Sequence, residues 1–87
     1  MEVQFLLAFE KDLGKADAAT RRKVLRIVLA LEAAGSIKEI DDMKKLVGFK
    51  EAYRIRIGDH RPGLFHANGV VQLARLLHRR EVYRYFP

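Results

Sequence analysis

The sequence contains no cysteine, so disulfide bonds and thiolate zinc sites are excluded. Its longest apolar runs, residues 5–9 and 27–31, are far shorter than the ~18 residues that a membrane-spanning helix needs. No basic segment followed by an apolar stretch and a cleavage site is found near residue 1, so we expect no signal peptide and a soluble, cytoplasmic protein. The three histidines are not spaced as metal ligands are, so we expect neither a metal nor a cofactor.

Charge is distributed unevenly along the 87 residues, a length that predicts a single domain over residues 1–87. Residues 1–51 contain ten basic and nine acidic side chains, whereas residues 52–87 contain seven basic side chains, all arginine, and two acidic ones. Arginine binds phosphate bidentately and keeps its charge, so the second segment predicts an anionic partner, above all a nucleic acid. A basic surface that serves only solubility is the alternative.

The first half of the chain predicts a strand and a helical hairpin. Residues 2–6 alternate polar and apolar, which favours a strand at a sheet edge or paired with a later strand. A short helix should end at Gly14 in a left-handed cap, and a second should begin at the N-cap Asp17 and stop at Gly35. Its apolar face is predicted to contain Val24, Leu25, Ile27, Val28, Leu31 and Ala34. Ser36 should cap one further helical turn, and residues 41–45 should form a polar connector.

The second half predicts three antiparallel strands and a short C-terminal tail. In residues 53–57 the two-residue period places Arg54 and Arg56 on one face and three apolar side chains on the other. A turn at residues 58–60 leads into the third strand, and Asn68-Gly69 is typical of a hairpin turn before a buried strand over residues 70–77. The fold class is therefore α+β, with the N-terminal strand and helical hairpin packed on a small antiparallel sheet.

Three residues in these strands leave structural alternatives open. Pro62 cannot donate to a sheet ladder, so it predicts either a bulge or a ladder that starts after it. Gly63 leaves space above the sheet for an aromatic ring or for a ligand backbone. Arg75 interrupts an apolar strand, so it is either paired internally or open to the same cleft as the other arginines.

Two segments resemble the RelE/ParE superfamily, the toxins of type II toxin–antitoxin modules. They are Tyr-Arg-Ile-Arg-Ile-Gly-Asp-His-Arg (residues 53–61) and His-Arg-Arg-Glu-Val-Tyr-Arg-Tyr-Phe-Pro (residues 78–87). The order of elements is similar over nearly the whole chain, so the resemblance implies a RelE-like fold. RelE-like members cut mRNA in the ribosomal A site with the ribose 2′-hydroxyl as nucleophile, whereas ParE-like members poison DNA gyrase. Our leading hypothesis is a ribosome-dependent mRNA endonuclease that inhibits translation; a gyrase inhibitor and a non-toxic, antitoxin-binding relative are the alternatives.

The resemblance also implies roles for residues. Arg61 and Arg79 match the arginines that surround the scissile phosphate, and Tyr83 matches the C-terminal tyrosine. His78 is the fourth candidate catalytic residue, either as general base or as a structural hydrogen bonder. Tyr83 and the two aromatic residues near it, Tyr85 and Phe86, either fill the core or stack an RNA base.

Four further basic residues are candidate RNA ligands: Arg54, Arg56, Arg80 and Lys50. Some active members of the family have lysine at the positions of Arg54 and Arg56. Arginine effectively cannot give up its proton, so this pair suits charge stabilisation and RNA binding but not general-base catalysis. The base must then be one of the histidines at positions 60, 66 and 78, Tyr83, or ribosomal RNA.

The partners that the resemblance implies are the ribosome, mRNA and a cognate antitoxin, with no membrane. The antitoxin is expected to lay an acidic or amphipathic helix over Arg54, Arg56 and Arg79, or to displace residues 83–87. Repression of the operon is expected to rely on DNA contacts that the antitoxin supplies.

Overall fold

A five-stranded sheet with strand order β1-β5-β4-β3-β2 forms the centre of the computed structural model, which describes residues 1–87. The elements in chain order are β1 (Glu2–Phe5), α1 (Leu7–Gly14), α2 (Ala18–Ala33), a 3₁₀ turn (Ile37–Glu39), β2 (Met43–Lys45), β3 (Ala52–Ile55), β4 (His60–Ala67), β5 (Val70–His78) and α3 (Val82–Tyr85). Strand β1 pairs in parallel with β5, and all other neighbours are antiparallel. The predicted α+β class is confirmed. None of the helices has the length and apolar character needed to cross a membrane.

The helix starts follow the sequence signals, and one helix end does not. The Asp17 carboxylate accepts a hydrogen bond from the Thr20 backbone N–H at 2.7 Å, and this bond lowers the pKa of Asp17. Ser36 caps the 3₁₀ turn, as predicted. The left-handed cap at Gly14 is wrong, because α1 includes Gly14 and ends at Lys15 with a right-handed backbone. In α2 the predicted face is correct except for Leu25, which is 57% exposed.

Apolar side chains cover the sheet on both faces. The cluster on the helix face joins α1 and α2 to the sheet and contains Phe9, Val24, Leu31, Ile55, Leu64, Val71, Leu73 and Leu76. The cluster on the opposite face, which we call the tail face, contains Leu46, Ala52, Ala74, Leu77, Val82 and Phe86. The last two of these belong to the C-terminal segment. The tail is therefore folded onto the sheet and closes a second, smaller core.

The ladder between β4 and β5 contains a bulge, with Ala74 of β5 as the extra residue. The ladder begins at His60 and includes Pro62, which lies opposite Leu76, and the register shifts between Gly63 and Leu64. The bulge is therefore the correct alternative for Pro62. The ring of Phe86 lies over Gly63, so the space that glycine leaves holds a neighbouring ring. The predicted hairpin turn at Asn68-Gly69 is also confirmed, since both residues have positive φ, 53° and 75°.

Two elements differ from the expectation. Residues 43–45, predicted as connector, form the edge strand β2, in which Lys44 lies opposite Arg54 of β3. Charged side chains suit such an edge because they discourage pairing with another chain. The C-terminal tail contains the short helix α3, anchored by buried Val82.

Candidate functional site

Arg54 and Tyr83 are hydrogen-bonded although they lie 29 residues apart in the sequence. The Arg54 Nε donates to the Tyr83 hydroxyl at 3.2 Å, and its Nη1 donates to the Asp42 carbonyl at 3.1 Å. Ala52, two positions earlier on β3, is buried in the tail-face cluster, so strand alternation places Arg54 on that face. The site is thus built where α3 meets β3.

Helix α3 presents Tyr83 to solvent because its neighbours hold it in place. Val82 and Phe86, four positions apart, are both buried on the inner side of the helix. Tyr83 lies on the outer side and is 63% exposed. The core-filling interpretation is therefore wrong for Tyr83 and also for Tyr85, which is 49% exposed and lies under the Arg84 guanidinium at 5.3 Å. It is correct for Phe86, which is 5% exposed.

Arg61 is the centre of a group of like charges. Its Nη1 donates to the carbonyls of Gly58 and His60 at 2.7 and 2.9 Å, which fixes the guanidinium over its own turn. Burial lowers the pKa of Arg61, and three nearby arginine charges lower this pKa further. Together these residues form what we call the arginine cluster: Arg54, Arg56, Arg61 and Arg79. Positive groups close enough to lower the pKa of Arg61 together attract an anion.

The same surroundings favour ionisation of the Tyr83 phenol. The hydrogen bond from Arg54 lowers the pKa of Tyr83 most, and the positive charges of Arg54, Lys44 and Arg61 lower it further. Burial acts in the opposite direction. Tyr83 is therefore a group beside the arginine cluster whose ionised form is favoured.

Two arginine–aspartate pairs show which guanidinium groups are free to bind a ligand. Arg79 Nε lies 3.7 Å from an Asp59 oxygen, with both side chains more than half exposed, and exposed pairs contribute only ~0–1 kcal/mol. Arg75 lies 2.8 Å from Asp12, and this hydrogen bond raises the pKa of Arg75. Asp12 also accepts from the Leu76 N–H. Arg75 is paired internally and holds α1 to the sheet, whereas Arg79 can turn to an anion.

The histidines lie outside the arginine cluster. His60 and His78 face each other across β4 and β5 with ring centroids 6.1 Å apart, and they line a pocket against Asp12 and Lys15 of α1. His66 lies against Tyr53, whose ring packs on the helix-face cluster. The structure thus brings Arg61, Arg79 and Tyr83 together but places His78 against α1.

A groove of about 300 Å³ runs beside Tyr83 and was not foreseen from the sequence. Its walls are the loop between β2 and β3 together with the tail: Lys44, Lys45, Leu46, Val47, Phe49, Tyr83 and Phe86. Phe49 is 50% exposed although its side chain is large and apolar. The only sequence signal was an isolated aromatic residue in a loop with lysines on both sides.

The remaining predicted RNA ligands are exposed and lie outside the cluster. Lys50 lies in the loop between β2 and β3, next to Phe49. Arg80 lies in the turn between β5 and α3, where its backbone N–H donates to His78. Neither side chain makes a hydrogen bond or an ion pair with another member of the predicted site.

Comparison with known proteins agrees with this architecture, although no protein-family model matches the chain. The chain is 33% identical over 88 residues to Toxin RelE3 of Methanocaldococcus jannaschii, with all of both proteins covered. It is similar to a chain of the RelB-RelE antitoxin–toxin complex from Methanococcus jannaschii, with 30% identity, a TM-score of 0.81, and 97% of this chain and 99% of that chain covered. A chain of the archaeal RelE-RelB complex from Pyrococcus horikoshii gives 27% identity and a TM-score of 0.74, with 90% and 93% covered. Identity along the full length, on the same fold and with the tail in place, shows that this chain belongs to the RelE family of the RelE/ParE toxin superfamily.

Proposed function

We propose that this chain is the toxin of a type II toxin–antitoxin pair and that it cuts mRNA in the ribosomal A site. The observation that supports this most directly is the arginine cluster around a tyrosine whose pKa is lowered by Arg54. Cleavage by the ribose 2′-hydroxyl requires a group that removes a proton and fixed positive charges that stabilise the pentavalent phosphorane. The cluster and Tyr83 provide both.

Tyr83 is proposed as the general base. The arginines keep their protons at every working pH, and the histidines line a pocket against α1 or pack on the helix face. The Tyr83 phenolate takes the 2′-hydroxyl proton, the 2′-oxygen forms a bond to phosphorus, and the bond from phosphorus to the 5′-oxygen breaks. The products are a 2′,3′-cyclic phosphate and a 5′-hydroxyl, whose oxygen regains a proton from solvent.

The arginines are proposed to act on the phosphate. Arg61 is held by two carbonyl groups, so it is oriented before the substrate arrives, and such preorganised charge contributes more than a mobile side chain does. Arg79 is held by its backbone N–H, which donates to the Asp59 carbonyl at 2.8 Å, while its side chain is free to move from the weak pair with Asp59. Arg54 both polarises Tyr83 and adds positive charge beside the phosphate.

Single-stranded RNA is proposed to cross the tail face. The groove is lined by two exposed aromatic side chains, Phe49 and Tyr83, by buried Phe86 and by two lysines. Exposed rings beside lysines can stack a base and neutralise its phosphate. Arg56 lies next to the phosphate position, and Arg80 and Lys50 are proposed to contact the RNA backbone further out. No metal ion or cofactor takes part in this proposal.

The antitoxin is proposed to close the same surface. The RelE chains from Methanococcus jannaschii and Pyrococcus horikoshii were solved in complexes with RelB. We propose that a RelB-like partner covers Arg54, Arg56 and Arg79 with an acidic or amphipathic helix, or displaces residues 83–87, and that it supplies the contacts to operator DNA. Displacement is feasible because Phe86 is the one buried side chain in residues 83–87.

The test is cleavage by purified protein of short mRNAs on programmed ribosomes, with both the cut site and the end groups determined. We expect cuts within the A-site codon that leave a cyclic phosphate, and no cut when the nucleotide before the scissile bond is 2′-O-methylated. Arg22→Ala, on the exposed side of α2, is the matched control for loss of one positive charge. Absence of cleavage by the parent protein, or full cleavage by Arg61→Ala, would contradict the proposal. Inhibition of purified gyrase with no cleavage of mRNA would favour the ParE-like alternative.

A further inference from the structure

We propose that His78 is a positioning residue: its Nδ1 fixes the turn between β5 and α3 and thereby places Tyr83 against Arg54. The consequence for cleavage rests on the function proposed above. The positioning itself does not, because it can be measured on the free protein.

The turn is held by one histidine through two atoms. The Arg80 backbone N–H donates to His78 Nδ1 at 3.2 Å, and the Glu81 N–H donates to the His78 carbonyl at 2.8 Å. The Glu81 carbonyl then accepts from the N–H groups of Arg84 and Tyr85, which forms the first turn of α3. Hydrogen bonds from His78 therefore lead into the first turn of α3, the helix that contains Tyr83.

No other side chain makes a hydrogen bond to the backbone of this turn. Glu81 occupies the N-cap position of α3 but makes no capping hydrogen bond with its side chain. Helix α3 has only four residues, too few to be stable without tertiary support. The His78 imidazole is thus the only side chain that hydrogen-bonds to the backbone between β5 and α3.

The ring of His78 is itself fixed from the other side. His60 lies opposite it in the ladder, with the two rings edge to face, and α1 closes the pocket with Asp12 and Lys15. Because Nδ1 accepts a hydrogen bond, the geometry assigns the proton of the neutral ring to Nε2. A ring held in this way is an anchor for the turn and lies away from the arginine cluster.

Asparagine separates this role from acid–base catalysis. The Asn side-chain oxygen lies at nearly the position of the histidine Nδ1 and accepts a hydrogen bond, but it does not exchange a proton at working pH. His78→Asn should therefore keep the turn, whereas His78→Leu keeps much of the volume and loses the acceptor. His78→Gln carries its amide one bond further out and serves as a second, polar variant without an acceptor at that position.

The titration of Tyr83 reports its placement. In a Tyr53→Phe/Tyr85→Phe background Tyr83 is the only phenol, and its phenolate absorbance can be followed against pH. We expect His78→Asn to titrate as the background does. We expect His78→Leu and His78→Gln to titrate at higher pH, close to the Arg54→Met control, because the hydrogen bond from Arg54 that lowers the pKa of Tyr83 is lost. Circular dichroism and thermal melting identify any variant that has unfolded, and His78→Gln replaces His78→Leu in that case.

Two results would overturn the proposal. One is an unchanged Tyr83 titration in both variants that lack the acceptor. The other is a His78→Asn variant that keeps the parent titration but loses cleavage, because His78 would then act as a chemical group and not as an anchor. In the ribosome assay we expect His78→Asn to cleave at nearly the parent rate and His78→Leu to lose roughly 100-fold, as expected when a general base is misplaced. If no variant cleaves, including the parent, the proposed function fails while the titration still tests the positioning.

Discussion

The ring of Phe86 occupies the space into which a side chain at Gly63 would project. A Cβ at residue 63 would lie 2.5 Å from Cδ2 of this ring, closer than any real contact. The φ of Gly63 is not positive, so the glycine is needed for space and not for its backbone conformation. Val82 and Phe86 are the buried residues that hold α3 on the sheet. The contact between Phe86 and Gly63 therefore helps to determine how far Tyr83 lies from β3.

Gly63→Ala should destabilise the fold by ~1–3 kcal/mol, because the added methyl group overpacks the contact with Phe86. Phe86→Ala alone should cost about 3–5 kcal/mol, as removal of a buried aromatic ring usually does. In the double variant the two costs should not add, since the methyl group then has room. Denaturant unfolding of the four proteins measures this coupling.

Gly14→Ala is the matched control for Gly63→Ala in this double-mutant comparison. Nothing lies within 4 Å of a Cβ at Gly14, and residue 14 is part of a helix, so this change should leave stability equal or slightly higher. Strict additivity of Gly63→Ala and Phe86→Ala would mean that the ring does not rest on residue 63 in solution.

Arg61→Ala should lower the rate of cleavage by about 100–1,000-fold, the usual effect of removing one aimed donor from a transition state. Arg61→Lys should recover only part of the loss, because an ammonium group cannot reach both the Gly58 and His60 carbonyls and the phosphate in the same way. Single-turnover cleavage on ribosomes separates this effect from RNA binding. Arg22→Ala should behave as the parent, and a comparable loss there would point to general electrostatic attraction.

Strands β3, β4 and β5 could be predicted from the sequence because their signals are local. The alternation around Ile55 and the positive φ at Asn68 and Gly69 each depend on neighbouring residues only. The edge strand β2 escaped prediction because Met43–Lys45 is polar and gains its structure from the backbone of β3. Such strands lack a sequence period of their own.

The positions of the histidines could not be predicted because a bulge intervenes. The extra residue Ala74 in β5 shifts the register, so that alternation counted from the turn at residues 68–69 would place Leu77, and not His78, opposite His60. Proximity in sequence suggested that His78 and Arg79 act together. The structure instead turns the imidazole towards α1 and leaves Arg79 beside Arg61.

Phe49→Ala should weaken binding of single-stranded RNA by ~1–3 kcal/mol, the usual contribution of one stacked base, while cleavage of bound RNA should change little. Phe49→Trp should retain affinity, since its ring also stacks. Val47→Ala is the control, because Val47 is 93% exposed in the same loop and has no ring. Fluorescence anisotropy with a short labelled RNA measures the affinities. Equal losses in Phe49→Ala and Val47→Ala would mean that the loop, and not stacking, determines binding.

The pH dependence of cleavage should be set by Tyr83. The hydrogen bond from Arg54 is the largest cause of its lowered pKa, so Tyr83 ionises below the ~10 of an ordinary tyrosine. Since the base acts as phenolate, the rate should rise with pH and level off above the pKa of Tyr83. Arg54→Met removes both the bond and the charge, so the rising limb should move to higher pH. Tyr83→Phe should abolish this limb.

The position of the limb and the height of the plateau separate the two roles of Arg54. Loss of its charge beside the phosphate lowers the plateau, whereas loss of its hydrogen bond moves the limb. Arg84→Met is the matched control, because Arg84 lies against Tyr85 and is not among the charges that lower the pKa of Tyr83. The lowered pKa of Tyr83 also affects the free energy of unfolding. It stabilises the folded state at alkaline pH, and this stabilisation is lost as the pH falls through the pKa of Tyr83 in the folded protein. A limb at the same pH in Arg54→Met and the parent, with Tyr83→Phe still active, would exclude Tyr83 as the base.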